Sequence, residues 1–171
     1  NYLRAKILTL SNNFPERKSL ADKFNESCGI ISGAINKSAS PFLETYVNMY
    51  WPADNIPGLA SLGIHDKLFE PIYNKTIETW YSKLESKRNI NKFLFPHSVD
   101  SVGIETQNER GSSLSLILIL LPDVSEVIAS DLMPYYMRTY VTDFLLLPMI
   151  RESAENYEED EDVDSGPVIL G

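Results

Sequence analysis

Between Ser113 and Leu121 the chain reads SLSLILILL, nine residues of which seven are Leu or Ile. A run this apolar must be covered, by a bilayer or by the rest of the protein. Leu114 to Leu121 falls well short of the roughly 20 apolar residues that span a bilayer, so the run belongs to a core. It alternates at first (Ser113, Leu114, Ser115, Leu116) and then turns uniformly apolar, the pattern of a strand buried on one face and then on both. Upstream, SVDSVGIET alternates through Val99, Val102 and Ile104 with one offset, and QNERGSS between the two runs reads as a hairpin loop. The expectation is an antiparallel hairpin near residues 99–121. An isolated hairpin is marginally stable, so it must rest on helices or gain a strand, for instance from residues 2–10.

The rest of the chain is read as mainly helical. Pro15 follows Asn12 and Asn13 as a start signal, and Leu20, Phe24, Cys28, Ile31 and Ile35 recur at helical spacing. PFLETYVNMYW, residues 41–51, predicts a second short helix with Leu43, Val47, Tyr50 and Trp51 on one side. PADNIPGLASLG, residues 52–63, carries two prolines and two glycines and reads as a connection, with Ser61 in a hinge. Ile64, Leu68, Ile72, Ile77, Trp80, Tyr81 and Leu84 then mark a longer helix that Pro71 kinks or divides. Asp123 with Glu126 resembles a capping box, opening a helical region to about Ile150 that restarts near Pro134. Leu132, Tyr136, Tyr140, Phe144 and Leu147 would line one face of it. The fold class expected is α+β, a helical majority packed on a small antiparallel sheet.

One local likeness cuts across that reading. LFEPIYNKTIETWYSKLES, residues 68–86, resembles the opening helix of the PX-associated domain found in some sorting nexins. The resemblance implies an all-helical domain, which conflicts with the strands read downstream. No family is assigned on it.

Charge divides the chain in two. Residues 1–151 hold all 15 Lys and Arg against 16 of the 24 acids, a net of minus one. Glu152, Glu155, Glu158, Glu159, Asp160, Glu161, Asp162 and Asp164 supply the other minus eight. The layout is a near-neutral globule over 1–151 with an acidic tail over 152–171, and it makes nucleic acid a poor partner. Carboxylates at that density repel one another, so residues 152–164 are expected to be mobile and solvated. Val168, Ile169 and Leu170 have strand or burial preference, and are expected to dock on a sheet edge or groove with the acidic stretch as a tether. The basic cluster Lys83, Lys87, Arg88 and Lys92 either complements a helix end or meets anionic headgroups.

Catalytic and metal signals are missing from the sequence. Cys28 lies on the apolar stripe of its helix, far from His65 and His97, and lacks the flanking cation of an activated thiol. Ser61 in GLASLG is not in a G-x-S-x-G elbow, and no phosphate-cradling glycine loop occurs. Asp160, Asp162 and Asp164 imitate the first ligands of a calcium loop, but Ser165 and Gly171 stand where its glycine and glutamate are required. No catalytic residue, metal or cofactor is read. Asn25, Asn36 and Asn74 stand in glycosylation patterns expected by accident.

One cysteine permits no internal disulfide, which suits the cytoplasm or nucleus. The chain starts at Asn1 without a signal-peptide pattern, and is read as a piece of a larger protein. The function expected is non-enzymatic binding of another protein, or of a second copy, within a larger intracellular assembly. The candidate contacts are Tyr136, Tyr140, Phe144, Val168, Ile169 and Leu170. The alternative is a membrane-trafficking or lipid-contacting module that uses the basic cluster and the aromatic helix.

Overall fold

The computed structural model describes residues 1–87, 95–144, 147–154 and 168–170 of the 171. The fold is α+β with a helical majority. Six helices, α1 (Tyr2–Leu10), α2 (Arg17–Lys37), α3 (Pro52–Leu68), α4 (Asn74–Lys87), α5 (Gly111–Leu120) and α6 (Glu126–Thr139), share one contiguous core. β1 (Ser98–Val99) and β2 (Glu105–Gln107) form one antiparallel pair. β3 (Val141–Phe144), β4 (Leu147–Arg151) and β5 (Val168–Leu170) form a three-stranded antiparallel sheet in that spatial order.

The outer helices follow from their patterns. In α2 the buried residues are Ala21, Phe24, Cys28, Ser32 and Ile35, three or four apart; in α4 they are Thr76, Trp80 and Leu84, four apart. The two stripes face each other, and the Ser32 and Thr76 hydroxyls bond across the seam at 2.8 Å. Pro71 divides rather than kinks: α3 ends at Leu68 and α4 begins at Asn74. Residues 2–10 form α1, not a strand.

Four expectations are overturned in ways that matter for function. The run at 113–121 is helical over Gly111–Leu120, with a short 3-10 turn over Leu121–Asp123. Its buried positions Leu114, Ile117, Leu118 and Leu121 follow helical spacing; Leu116, Ile119 and Leu120 between them are apolar too, which hides the period. The hairpin that does form closes earlier, around Gly103 at φ +86°, a backbone conformation suited to glycine.

The supposed connection at 52–63 is the body of α3, the central helix, which packs against α1, α2, α4 and α5. Pro52 occupies the first turn, where its missing N–H is harmless. Every residue from Leu59 to His65 is buried. Small residues make that possible, because a Cβ on Gly63 would lie 1.9 Å from the Asp123 carbonyl oxygen. Conversely, residues 43–51 are not helical: they make a tight turn with Asn48 at φ +59°, closed by Met49 N–H to the Tyr46 carbonyl at 2.8 Å.

The last helix also stops early. Ser125, not Asp123, is the N-cap of α6, its hydroxyl accepting from the Ile128 N–H at 3.4 Å. After Thr139 the β-formers Val141, Thr142 and Phe144 pair with Ile150, Met149 and Leu147. Phe144 and Leu147 therefore lie on strands and do not extend the face of Leu132, Tyr136 and Tyr140.

Candidate functional site

α5 and α6 are joined by only Leu121–Ser125, which folds them back on each other. Tyr136 and Ser115 tie the pair, their hydroxyls 2.6 Å apart. Beside that tie the helices splay into a groove of about 600 Å³ lined by Leu118, Pro122, Glu126, Ala129, Ser130, Met133 and Pro134. Ala129 and Ser130 carry short side chains that leave room between the helices. A second groove of about 390 Å³, on the other flank of α6, is lined by Ile77, Tyr81, Val124, Val127 and Ile128 with Asn74, Glu78 and Ser125.

Apolar surface continues outside the grooves. Ile119 and Val127 are each 71 % exposed, and Leu116 and Met137 are also exposed. Exposed apolar residues this numerous around concave surfaces mark docking sites more often than chance placement does. The polar atoms of the α5–α6 groove are mostly acceptors. Glu126 contributes its carboxylate, and Pro134 has no N–H to give, which leaves the Ser130 carbonyl outside the helix's own hydrogen-bond ladder. Among the described residues, no cation lines the groove.

The aromatic residues singled out from sequence are placed differently. Tyr136 and Tyr140 are buried, with rings 6.1 Å apart, and belong to the core as placed. The Tyr140 hydroxyl donates to the Glu109 carbonyl at 3.3 Å, and burial foremost raises its pKa well above the usual tyrosine value. Tyr135, bonded to the Glu109 carboxylate at 2.7 Å, is pushed up to about 12 by burial and then by that carboxylate. Neither phenol ionises near neutral pH.

Of the basic cluster, Lys83 is engaged within the fold. The Lys83 ammonium donates to the carbonyls of Ile35 and Ser38, both at 2.6 Å, and so closes the end of α2; burial pulls its pKa down. Lys87 is exposed at the end of α4, and Arg88 and Lys92 lie outside the described residues.

The remaining reactive groups are structural as placed. The Cys28 thiol is buried and pushed up to about 11 by that burial, the opposite of an activated nucleophile. His65 touches the Asp66 carboxylate at 3.2 Å, but Phe24, Phe69 and Tyr73 surround the ring. Asp66 in turn accepts the backbone N–H groups of Ile72 and Tyr73, fixing the turn before α4. His97 stacks on Trp51 and meets the buried Ser113 hydroxyl at 2.7 Å, a pair sixteen residues apart that no local pattern announced. A cleft of about 590 Å³ nearby is lined by Trp51, Tyr50, Ser98, Thr106 and Gln107 among others, but by neither His97 nor Ser113. Among the described residues no three His, Cys, Asp or Glu side chains gather as metal ligands. Among them, too, no helix is long and apolar enough to cross a membrane.

At the other end of the molecule, Val168–Leu170 lies antiparallel on β4, with Ile169 opposite Ile150. Glu152, grouped with the tail on charge, is buried: its carboxylate accepts the Ser112 hydroxyl at 2.8 Å and backbone N–H at 3.2 Å, with Arg110 at 3.8 Å. Residues 155–164, the bulk of the acidic run, lie outside the described residues. No family model, no curated protein and no solved structure matches this chain.

Proposed function

We propose that this chain is a non-enzymatic protein-binding domain, and that the α5–α6 groove receives an amphipathic helix of a partner whose apolar side is flanked by Lys or Arg. The observation that carries this reading is the groove itself, apolar along its floor and wall and lined by acceptors, with no cation among the described residues that line it. Grooves between helices take apolar helix faces, and Met133 adapts its unbranched side chain to the shape presented. The charge argument is local complementarity: Glu126 places a carboxylate at the groove, which favours a basic flank on the incoming helix.

The four methionines make the test direct. Met133 lines the groove and Met137 lies one turn further on α6, whereas Met49 is in the 43–51 turn and Met149 in β4. Titrating amphipathic helical peptides with a Lys-bearing polar face should shift the Met133 and Met137 methyl signals and leave Met49 and Met149 still. The same peptides with Glu in place of Lys should bind more weakly. The reading is overturned if all four methyls respond alike, if none respond to any peptide, or if the Glu series binds equally well. Salt-sensitive binding to anionic liposomes in place of any peptide response would favour the lipid alternative, for which Lys87 is the exposed cation described.

A further inference from the structure

We infer that the outer edge of β4 is a strand-acceptor site shared between copies of this chain: Val168–Leu170 fills it within one molecule and, at high concentration, reciprocally between two. The acceptor is well anchored. β3 pairs along one side of β4, the Arg151 N–H reaching the Tyr140 carbonyl at 2.8 Å. Beyond it the Glu152 carbonyl accepts from the Gly111 N–H at 3.0 Å, and the Glu152 carboxylate holds Ser112, so the end of the strand is fixed to the start of α5.

The described donor strand is short. Its register with β4 covers three residues. Backbone groups alternate sides along a strand, so with Arg151 directed to β3 it is Ile150 that faces β5, and Ile150 with Ile169 is the one closely hydrogen-bonded pair. Sixteen residues separate Arg151 from Val168, where a hairpin needs about two to five. At about 3.3 to 3.6 Å per residue, a chain of sixteen residues has a maximum reach of roughly 50 Å or more, enough to bring the donor to the same edge on a neighbour.

Exchange of an identical strand leaves every local pairing unchanged, so concentration decides between the two closures. A tether of this kind sets an effective concentration on the order of millimolar, which keeps dilute chains closed on themselves. A second copy is the occupant inferred because it carries the one strand already seen in register on this edge.

The experiment uses full-length chains. Met149 and Leu170 are directly opposed and, by the same alternation, form the non-hydrogen-bonded type of pair, about 4.5 Å between Cα atoms and within disulfide range. Met149→Cys is made in one chain and Leu170→Cys in another; both keep the buried Cys28. Oxidation of the mixture should give mixed dimers in excess of random pairing, with the excess rising from micromolar toward millimolar chain. Adding Ile169→Pro to the Leu170→Cys chain removes the ladder donor and should abolish the excess. Both substitutions in one chain, oxidised when dilute, should give a cross-linked monomer. Mixed dimers at the random level at every concentration, an excess that survives Ile169→Pro, or failure of the dilute intrachain cross-link would each overturn the inference.

Discussion

α3 and α5 pack against each other near the centre of the molecule, yet they reach burial by opposite means. From Leu59 to His65 α3 is buried without a break, and Ala60, Ser61 and Gly63 among those residues let neighbouring backbones approach closely. α5 is built almost wholly of Leu, Ile and Ser; it buries Leu114, Ile117 and Leu118 and leaves Leu116 and Ile119 in solvent. Small residues make a helix that fits, whereas a helix of uniformly large residues has more apolar surface than one core contact can cover. That surplus stands beside the α5–α6 groove, which is why the candidate site belongs to α5 and α6 and not to the better-buried α3.

The sharpest way to break this contrast is to give α3 bulk. Gly63→Val would drive a side chain into the Asp123 carbonyl, a backbone atom that cannot swing aside as a side chain can. Overpacking usually costs about 1 to 3 kcal/mol; here about 5 kcal/mol is expected, enough to leave much of the chain unfolded. Chemical denaturation of Gly63→Ala and Gly63→Val should show a graded loss. A mild effect from both would mean that α3 is not gripped as described.

α5 is tested by the periodicity of its tolerance. Leu114→Ala and Ile117→Ala should each cost about 2 to 5 kcal/mol, whereas Leu116→Ala and Ile119→Ala should stay within about 0.5 kcal/mol. A strand would give another pattern, with Leu116 as sensitive as Leu114 because residues two apart share a face. Thermal or urea melts of these four variants therefore distinguish the helix from the strand that the run suggests.

How much of this could be read in advance depends on what surrounds each buried residue in sequence. α2 was legible because Asp22 and Lys23 precede Phe24, and Asn25, Glu26 and Ser27 separate it from Cys28, so the helical phase stands out. In α5 the intervening positions are themselves Leu and Ile, which erases the phase, and initial Ser–Leu alternation suggests a strand. α3 was obscured by a local rule that fails in context. Pro57, Gly58 and Gly63 weaken an isolated helix, but tertiary packing decides where neighbours demand small side chains. The α5–α6 groove was illegible for both reasons together, since it needs two helices and one of them read as a strand. The α+β class with a helical majority was accessible because it does not depend on which apolar run becomes which element.

The smallest effect comes from the same residue that tests α3. Asp123 presses its carbonyl against Gly63, while its carboxylate meets the Lys6 ammonium at 2.6 Å, the Tyr2 hydroxyl at 2.9 Å and the Lys67 ammonium at 3.6 Å. Partial burial alone would raise the pKa of this carboxyl, but the bonds from Lys6 and Tyr2 and the two positive charges outweigh it and hold the value below normal. A carboxyl depressed on folding contributes stability above its unfolded value, about 3.9, and loses that contribution as pH falls through the lower folded value. Asp123→Asn should therefore cost about 1 kcal/mol or less at neutral pH, because Lys6 and Lys67 remain largely in solvent. The gap between wild type and variant should narrow between about pH 4 and pH 2. A gap of several kcal/mol would show that the carboxylate and not the close backbone approach is what joins α3 to the turn after α5, and a gap that did not narrow in acid would show that the carboxylate's charge is not what the variant loses.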